Sequence, residues 1–210
     1  MKGMLNNPKP AQSGSQVTIR RAGVEDLAQI VAIWAEGQLS QGDQPDLAQG
    51  AKAFGARVES QTEIYGVWVA EIEGSVVGWQ SLHPCRANPI HKWAESSTYI
   101  AQDCTGCGIG RKLLTFATQH ANSARLSYVV GFIKKGNEPP IRIVESLGWQ
   151  KVGDLPRADE NDIEWLYYVY PVPHSHTNRK TCPILCSDAA ATEPVWSEVE
   201  ALTQEGSPEL

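Results

Sequence analysis

The chain has 210 residues, 41% of them hydrophobic, seven tryptophans and a formal charge of −6. That length buries one ample core with at most a short second element, and the acidic balance argues against general nucleic-acid binding, which needs a basic face. No apolar run approaches the roughly 20 residues of a bilayer span, and residues 1–16 lack the apolar centre of a signal peptide, so a cytoplasmic protein with no membrane or nucleic-acid partner is expected.

Residues 1–15, rich in Asn, Pro, Gly, Ser and Gln, have almost nothing to bury and read as a flexible N-terminal arm. Order is expected from Val17, with a strand at 17–20. Val24-Glu25-Asp26 then opens a helix whose Leu27, Ile30, Val31 and Trp34 share helical spacing. A weaker helix follows at 47–61. Residues 65–72 and 76–82 are β-rich runs separated by Glu73-Gly74-Ser75, a hairpin signal. An irregular stretch at 83–91 leads into a strand at 93–100, a glycine turn and a helix at 109–122. A strand at 126–133, a short helix at 138–147 opening near two prolines, and strands at 149–152 and 164–170 complete the pattern. The order β-α-α-β-β-β-α-β-α-β-β predicts a mixed sheet with helices on both faces. The domain is expected to span 16–173. Residues 174–210 read as an acidic C-terminal tail of low order, with one helix near 193–203; from Pro171 onward Arg179 and Lys180 stand against six acidic residues.

Gly106-Cys107-Gly108-Ile109-Gly110 stands between a strand-like run and an amphipathic helix. Glycines at alternate positions let the backbone approach a bulky anion, and the helix behind them points free N–H groups and the positive end of its dipole at the turn. Taken alone, the pattern also suits a plain tight turn. An NTPase phosphate loop would end in Gly-Lys-Ser/Thr, where this chain has Gly110-Arg111-Lys112. A dinucleotide fold would place its glycines after the first strand, not after a hairpin and a further strand.

The run Ser97-Thr98-Tyr99-Ile100, then Asp103, then Gly106-x-Gly108-Ile109-Gly110-x-x-Leu113-Leu114 resembles the acetyl-CoA motif of the GNAT N-acetyltransferase superfamily. Gly78-Trp79 through Arg86, Ala94-Glu95-Ser96-Ser97, Asn137-Glu138-Pro139-Pro140-Ile141-Arg142 and Leu147-Gly148-Trp149 resemble its phosphinothricin-acetyltransferase-like branch. The resemblance covers residues 17–173 and implies an α/β (α+β) fold: a mixed, mostly antiparallel twisted sheet with helices on both faces. It implies acetyl-CoA as acyl donor, held by the backbone of the turn. Ile100, Ala101, Gln102, Thr105, Gly106, Cys107, Gly108, Ile109, Gly110 and Arg111 are the cofactor-binding residues so implied, with the Asn137 amide on the pantetheine arm. The Arg or Gln that usually opens the turn is Thr105, which leaves the backbone donors in place.

Glu95 matches the family's glutamate and is the candidate general base, since an amine must lose a proton to attack a thioester. A solvent-facing Glu in an alternating strand is the plain alternative. Backbone N–H groups near Ile100 and Ala101 are candidates to polarise the thioester carbonyl. The tyrosine that often protonates the leaving thiolate is missing, because Ile143-Val144-Glu145 occupy its place; Tyr167, Tyr168 or a water are the substitutes. Arg86 matches an arginine of the substrate loop and suits a carboxylate or phosphinate. The branch's second arginine is Asn88 here and its usual tyrosine is His91, the other substrate-loop candidate.

Cys104 and Cys107 have the spacing of half a zinc site, which Cys182, Cys186, His174 and His176 would complete. A metal there would distort the anion turn, so no metal is expected and the thiols are read as free. Cys85 reads as a loop or core residue, His120 as a surface residue, and His83 has no partner recognisable from spacing. The leading function is acetyl transfer from acetyl-CoA to a primary amine of a small amino-acid-like molecule. Acetylation of a protein N-terminus or lysine, and a non-catalytic acyl-CoA sensor, are the alternatives. The family implies a homodimer contact, for which the strand at 165–170 is the expected exposed element.

Overall fold

A computed structural model describes residues 16–85, 92–155 and 164–173. They belong to the first of two compact units, Met1–Ser175. The expected arm at 1–15 and the expected tail at 174–210, with its helix, lie outside the described residues.

In chain order the elements are β1 (Thr18–Arg21), α1 (Leu27–Ser40), α2 (Leu47–Glu59), β2 (Gly66–Ile72), β3 (Ser75–Pro84), β4 (Trp93–Ile100), α3 (Ile109–Ser123), β5 (Tyr128–Lys134), α4 (Glu138–Ser146), β6 (Gln150–Leu155) and β7 (Trp165–Pro171). The strands form one sheet in the order β1-β2-β3-β4-β5-β7-β6. The β4–β5 pairing is parallel and the other pairings are antiparallel. The expected mixed, mostly antiparallel architecture is therefore what the chain forms.

Helix boundaries follow local chemistry. Asp46 caps α2 by accepting the Ala48 and Gln49 N–H groups, both at 3.0 Å, a device that contributes about 1 kcal/mol. Two prolines in the first turn of α4 occupy positions whose N–H groups need no helical partner, and Gly148 ends that helix at φ +84°.

Side-chain alternation then sorts the layers. Trp79 of β3, fully buried, packs edge-on to Phe54 of α2 with centroids 5.0 Å apart and donates its Nε1–H to the Ile30 carbonyl of α1 at 3.0 Å. On the opposite face Trp68 of β2 meets Phe116 and His120 of α3 at 5.5 and 4.6 Å. His120 is thus not a surface residue: it is half-buried and its Nε2–H donates to the Ile64 carbonyl at 3.0 Å. Cys85 is buried. The expected dimer strand is also corrected, because β7 lies between β5 and β6 and the sheet margin on that side is β6.

Candidate active site

The sheet is forked at its centre. β3 pairs with β4 from Gly78↔Ile100 to Pro84↔Ala94, whereas β4 pairs with β5 only at Trp93↔Tyr128, Ala94↔Val129 and Glu95↔Val130. Beyond Glu95 the two strands part. The Ala101 N–H donates to the Val77 carbonyl at 2.9 Å. Antiparallel hydrogen bonding alternates along a strand, so the backbone groups of Ser96, Thr98 and Ile100 turn away from β3 and into the opening. They form a strand edge inside the sheet, and such groups require partners.

The turn after β4 supplies a second set of donors. Gly106 and Gly108 have φ of +79° and +77°, and a Cβ built on either would meet no heavy atom within 4 Å. Backbone conformation, not crowding, is what calls for glycine there. Gly108 is the N-cap of α3 and provides no side-chain cap. The first helical amide with a protein acceptor is Lys112, bonded to the Gly108 carbonyl at 3.1 Å. Among the described residues, the amides of 106–111 have none. Three neighbours expected to contribute are already committed: Ala101 to Val77, Gln102 to Glu36 Oε2 at 3.3 Å, and Thr105 to the Gln102 carbonyl at 3.3 Å. Cys104 is buried and Cys107 exposed. Across the opening, Asn137 is the N-cap of α4 and its side-chain amide has no hydrogen bond among the described residues.

One face of the fork carries Glu95, at the last rung of the parallel ladder and opposite His83 on β3. His83 Nε2 lies 3.6 Å from Glu95 Oε1, and its Nδ1 lies 3.4 Å from Ser81 Oγ. Strand register thus provides the partner that sequence spacing could not. The carboxylate is partly exposed, at 32%. Further along the same row, Tyr99 donates to the Gln38 carbonyl oxygen at 3.2 Å, which also accepts from Trp34 Nε1 at 3.0 Å, while the Gln38 amide donates to Asp43. Burial pushes the Tyr99 hydroxyl up from its ordinary pKa. Asp43 pairs in turn with Lys134 of β5 at 2.5 Å. Side chains from α1 and the connection behind it therefore join the far ends of the two diverging strands. Phe132 of β5 stacks on Tyr167 of β7 at 5.1 Å on this face. Arg86 and His91 lie outside the described residues.

The description "Acetyltransferase (GNAT) domain" matches residues 16–150. The chain belongs to that family. Within it, this GNAT protein falls in the phosphinothricin acetyltransferase-like branch. It is 30% identical over 152 residues to YwnH of Bacillus subtilis, a protein named for phosphinothricin acetylation, with 70% of this chain and 91% of that one covered. It is 31% identical over 156 residues to an L-methionine sulfoximine/L-methionine sulfone acetyltransferase of Pseudomonas paraeruginosa, covering 71% of this chain and 89% of the relative. Among solved structures, yncA from Salmonella typhimurium, determined with its cofactor acetyl-CoA, superposes with a TM-score of 0.66 at 25% identity, over 79% of this chain and 99% of that one.

In this GNAT chain α4 presents Val144, buried in the core, near where the family often keeps a tyrosine. Tyr168 of β7 sends its hydroxyl toward the same helix and donates to Glu145 Oε1 at 2.9 Å. Burial and that hydrogen bond push its pKa up to about 12, and the residue is only 1% exposed. Tyr167 lies on the Glu95 face, its pKa raised by burial and by the charges of Cys85 and Glu95. No helix of the described residues is long and apolar enough to cross a membrane.

Proposed function

We propose that this GNAT protein transfers the acetyl group of acetyl-CoA directly to the primary amine of a small, amino-acid-like molecule, with Glu95 as general base. The observation that carries this reading is the alignment of two unfilled donor sets: the amides of 106–111 at the start of a 15-residue helix and the backbone of β4 beyond Glu95. The first suits a pyrophosphate, which a helix N-terminus attracts through its dipole and its free N–H groups. The second suits the amides of a pantetheine arm, with Asn137 on the opposite side of the opening. The names of the relatives, which refer to phosphinothricin and methionine sulfoximine, support an amino-acid-like acceptor.

When bound, acetyl-CoA supplies an acyl carbon activated as a thioester. Glu95 takes a proton from the attacking amine, directly or through one water. The N–C bond forms as the C–S bond breaks, and the sulfur leaves with the electron pair and is protonated from solvent. In this reading the Ile100 N–H stabilises the developing oxyanion, and the Ala101 N–H does not, since Val77 holds it. Arg86 and His91 are retained as substrate-loop residues on sequence grounds.

The deciding experiment measures thiol release over an amino-acid and amine panel, with wild type and Glu95→Gln. The variant should lose about 10²–10⁴ in kcat/KM while its melting temperature rises with acetyl-CoA as in the wild type. Saturation at about 100 Kd corresponds to roughly 2.7 kcal/mol of stabilisation. Equal turnover removes Glu95 from the mechanism, and a melting temperature unmoved by millimolar acetyl-CoA overturns the whole reading.

A further inference from the structure

Arg57, in the last turn of α2, lies with its guanidinium 5.4 Å from the centroid of Phe54. Phe54 packs on Trp79 at 5.0 Å, and Trp79 stacks on Tyr99 at 5.0 Å with planes 23° apart. This run of rings links the guanidinium to Tyr99, on the row of β4 that also holds Glu95 and Ser97. Burial lowers the Arg57 pKa, and the Glu95 carboxylate acts against that shift.

The half-buried guanidinium has no hydrogen bond or ion pair among the described residues. Five N–H donors in a rigid planar fork are costly to leave without acceptors in a desolvated place. By contrast, Lys134 is paired with Asp43, and Arg20 with Asp26 and Glu71. The Ser97 hydroxyl, between Glu95 and Tyr99 on the same row, also has no partner among the described residues. A carboxylate is the group that a guanidinium fork and a neighbouring hydroxyl accommodate together. An α-amino acid presents its ammonium and carboxylate from one carbon, opposite in sign, as Glu95 and Arg57 are.

We propose that Arg57 is a specificity-determining residue that binds the α-carboxylate of a free amino-acid acceptor, with Ser97 assisting, while Glu95 receives the proton of the α-amine. The proposal rests on the acetyl-transfer reading above and narrows it. A peptide N-terminus, whose first carboxyl is an amide, gives Arg57 no anion, so the site selects free amino acids over protein ends.

The test compares kcat/KM for a set of L-amino acids, methionine sulfone included, each beside its own carboxamide and its decarboxylated amine. Wild type, Arg57→Gln and Arg57→Lys are assayed by thiol release. Wild type should prefer the free acid over the carboxamide by on the order of 10- to 100-fold, the worth of a hydrogen-bonded charge. Arg57→Gln should lose that factor for the acid and stay within about threefold of wild type for the carboxamide, bringing the ratio near one. Arg57→Lys, which keeps the cation without the fork, should fall between them, and it decides the matter if the glutamine variant does not fold. A wild type indifferent to the carboxylate, or an Arg57→Gln that loses acid and carboxamide turnover equally, overturns the role of Arg57 and leaves acetyl transfer standing. A protein that acetylates no amine overturns the parent reading and this one with it.

Discussion

The two faces of β4 differ in how completely their polar groups are satisfied. On the even-numbered face Gln80, fully buried, donates to Ser96 Oγ and to the Ser81 carbonyl, both at 2.9 Å, and accepts from the Thr98 hydroxyl. One residue along, on the odd-numbered face, Glu95 faces His83 across the strand pair at 3.6 Å. There the Ser97 hydroxyl, and the Arg57 guanidinium that the rings link to this row, have no hydrogen-bond or ion-pair partner among the described residues. Folding has already used the hydrogen-bonding capacity of the first face, which recovers the cost of burying it and fixes the strand. On the second face the Ser97 hydroxyl and the Arg57 guanidinium keep capacity in reserve among the described residues, at some cost to stability, and the amino-acid carboxylate proposed above would fill it.

Substitutions should separate the two roles, the largest change falling on the completed face. Gln80→Leu removes three hydrogen bonds, to Ser96, Thr98 and the Ser81 carbonyl, each worth about 0.5–1.5 kcal/mol. A loss near 3 kcal/mol in denaturant unfolding is expected; a loss below about 1 kcal/mol would mean that this face is not the scaffold. Asp26 extends the same idea to β1: it is 2% exposed and accepts two bonds from Arg20, at 2.7 and 2.9 Å, and one from the Gly23 N–H at 2.9 Å. The Arg20 guanidinium, foremost, holds its carboxyl below the ordinary range. A depressed folded pKa means stability that is present above the unfolded value of about 3.9 and lost as pH falls through the folded one. Asp26→Asn should therefore cost about 1–2 kcal/mol at pH 7, tempered by solvent at Arg20. That gap from wild type should close as the medium is acidified below about pH 4.

Tyr168→Phe removes a single buried bond, and about 1 kcal/mol is expected at neutral pH. Its sharper signature is at high pH. The unfolded chain releases the tyrosine proton near pH 10, while burial and Glu145 hold the folded one to about 12. Wild-type stability should fall between those values, and the variant should lack that component. Identical alkaline profiles for the two proteins would remove Tyr168 from the set of completed groups.

The fold was legible because its strongest signals are local. The strand Trp93–Ile100 and the glycine-led start of α3 are set by β-rich residues and by helical spacing within one short window. Contacts between windows were less so. His83 and Glu95 meet only because β3 and β4 pair in one register, and Arg57 is linked to Tyr99 only through rings of three elements. His120 looked like a surface residue because nothing in its own helix announces that Trp68 and Ile64 cover it. The interior position of β7 escaped for a related reason: chain order says that β6 precedes it, and only the paired partners say which of the two is flanked on both sides.

Ser97→Ala is expected to give the smallest stability change and is the cleanest probe of the reserve. A half-exposed hydroxyl with no partner contributes nothing that folding could lose, so unfolding free energy should stay within about 0.5 kcal/mol of wild type. Its loss should instead appear in the KM for a free amino acid, raised several-fold at nearly constant kcat, since binding alone is weakened. The carboxamide of the same amino acid should show little change. A several-fold effect on both acceptors would place Ser97 against the amine or the acyl group. A loss of stability with unchanged kinetics would move it to the completed side of the strand.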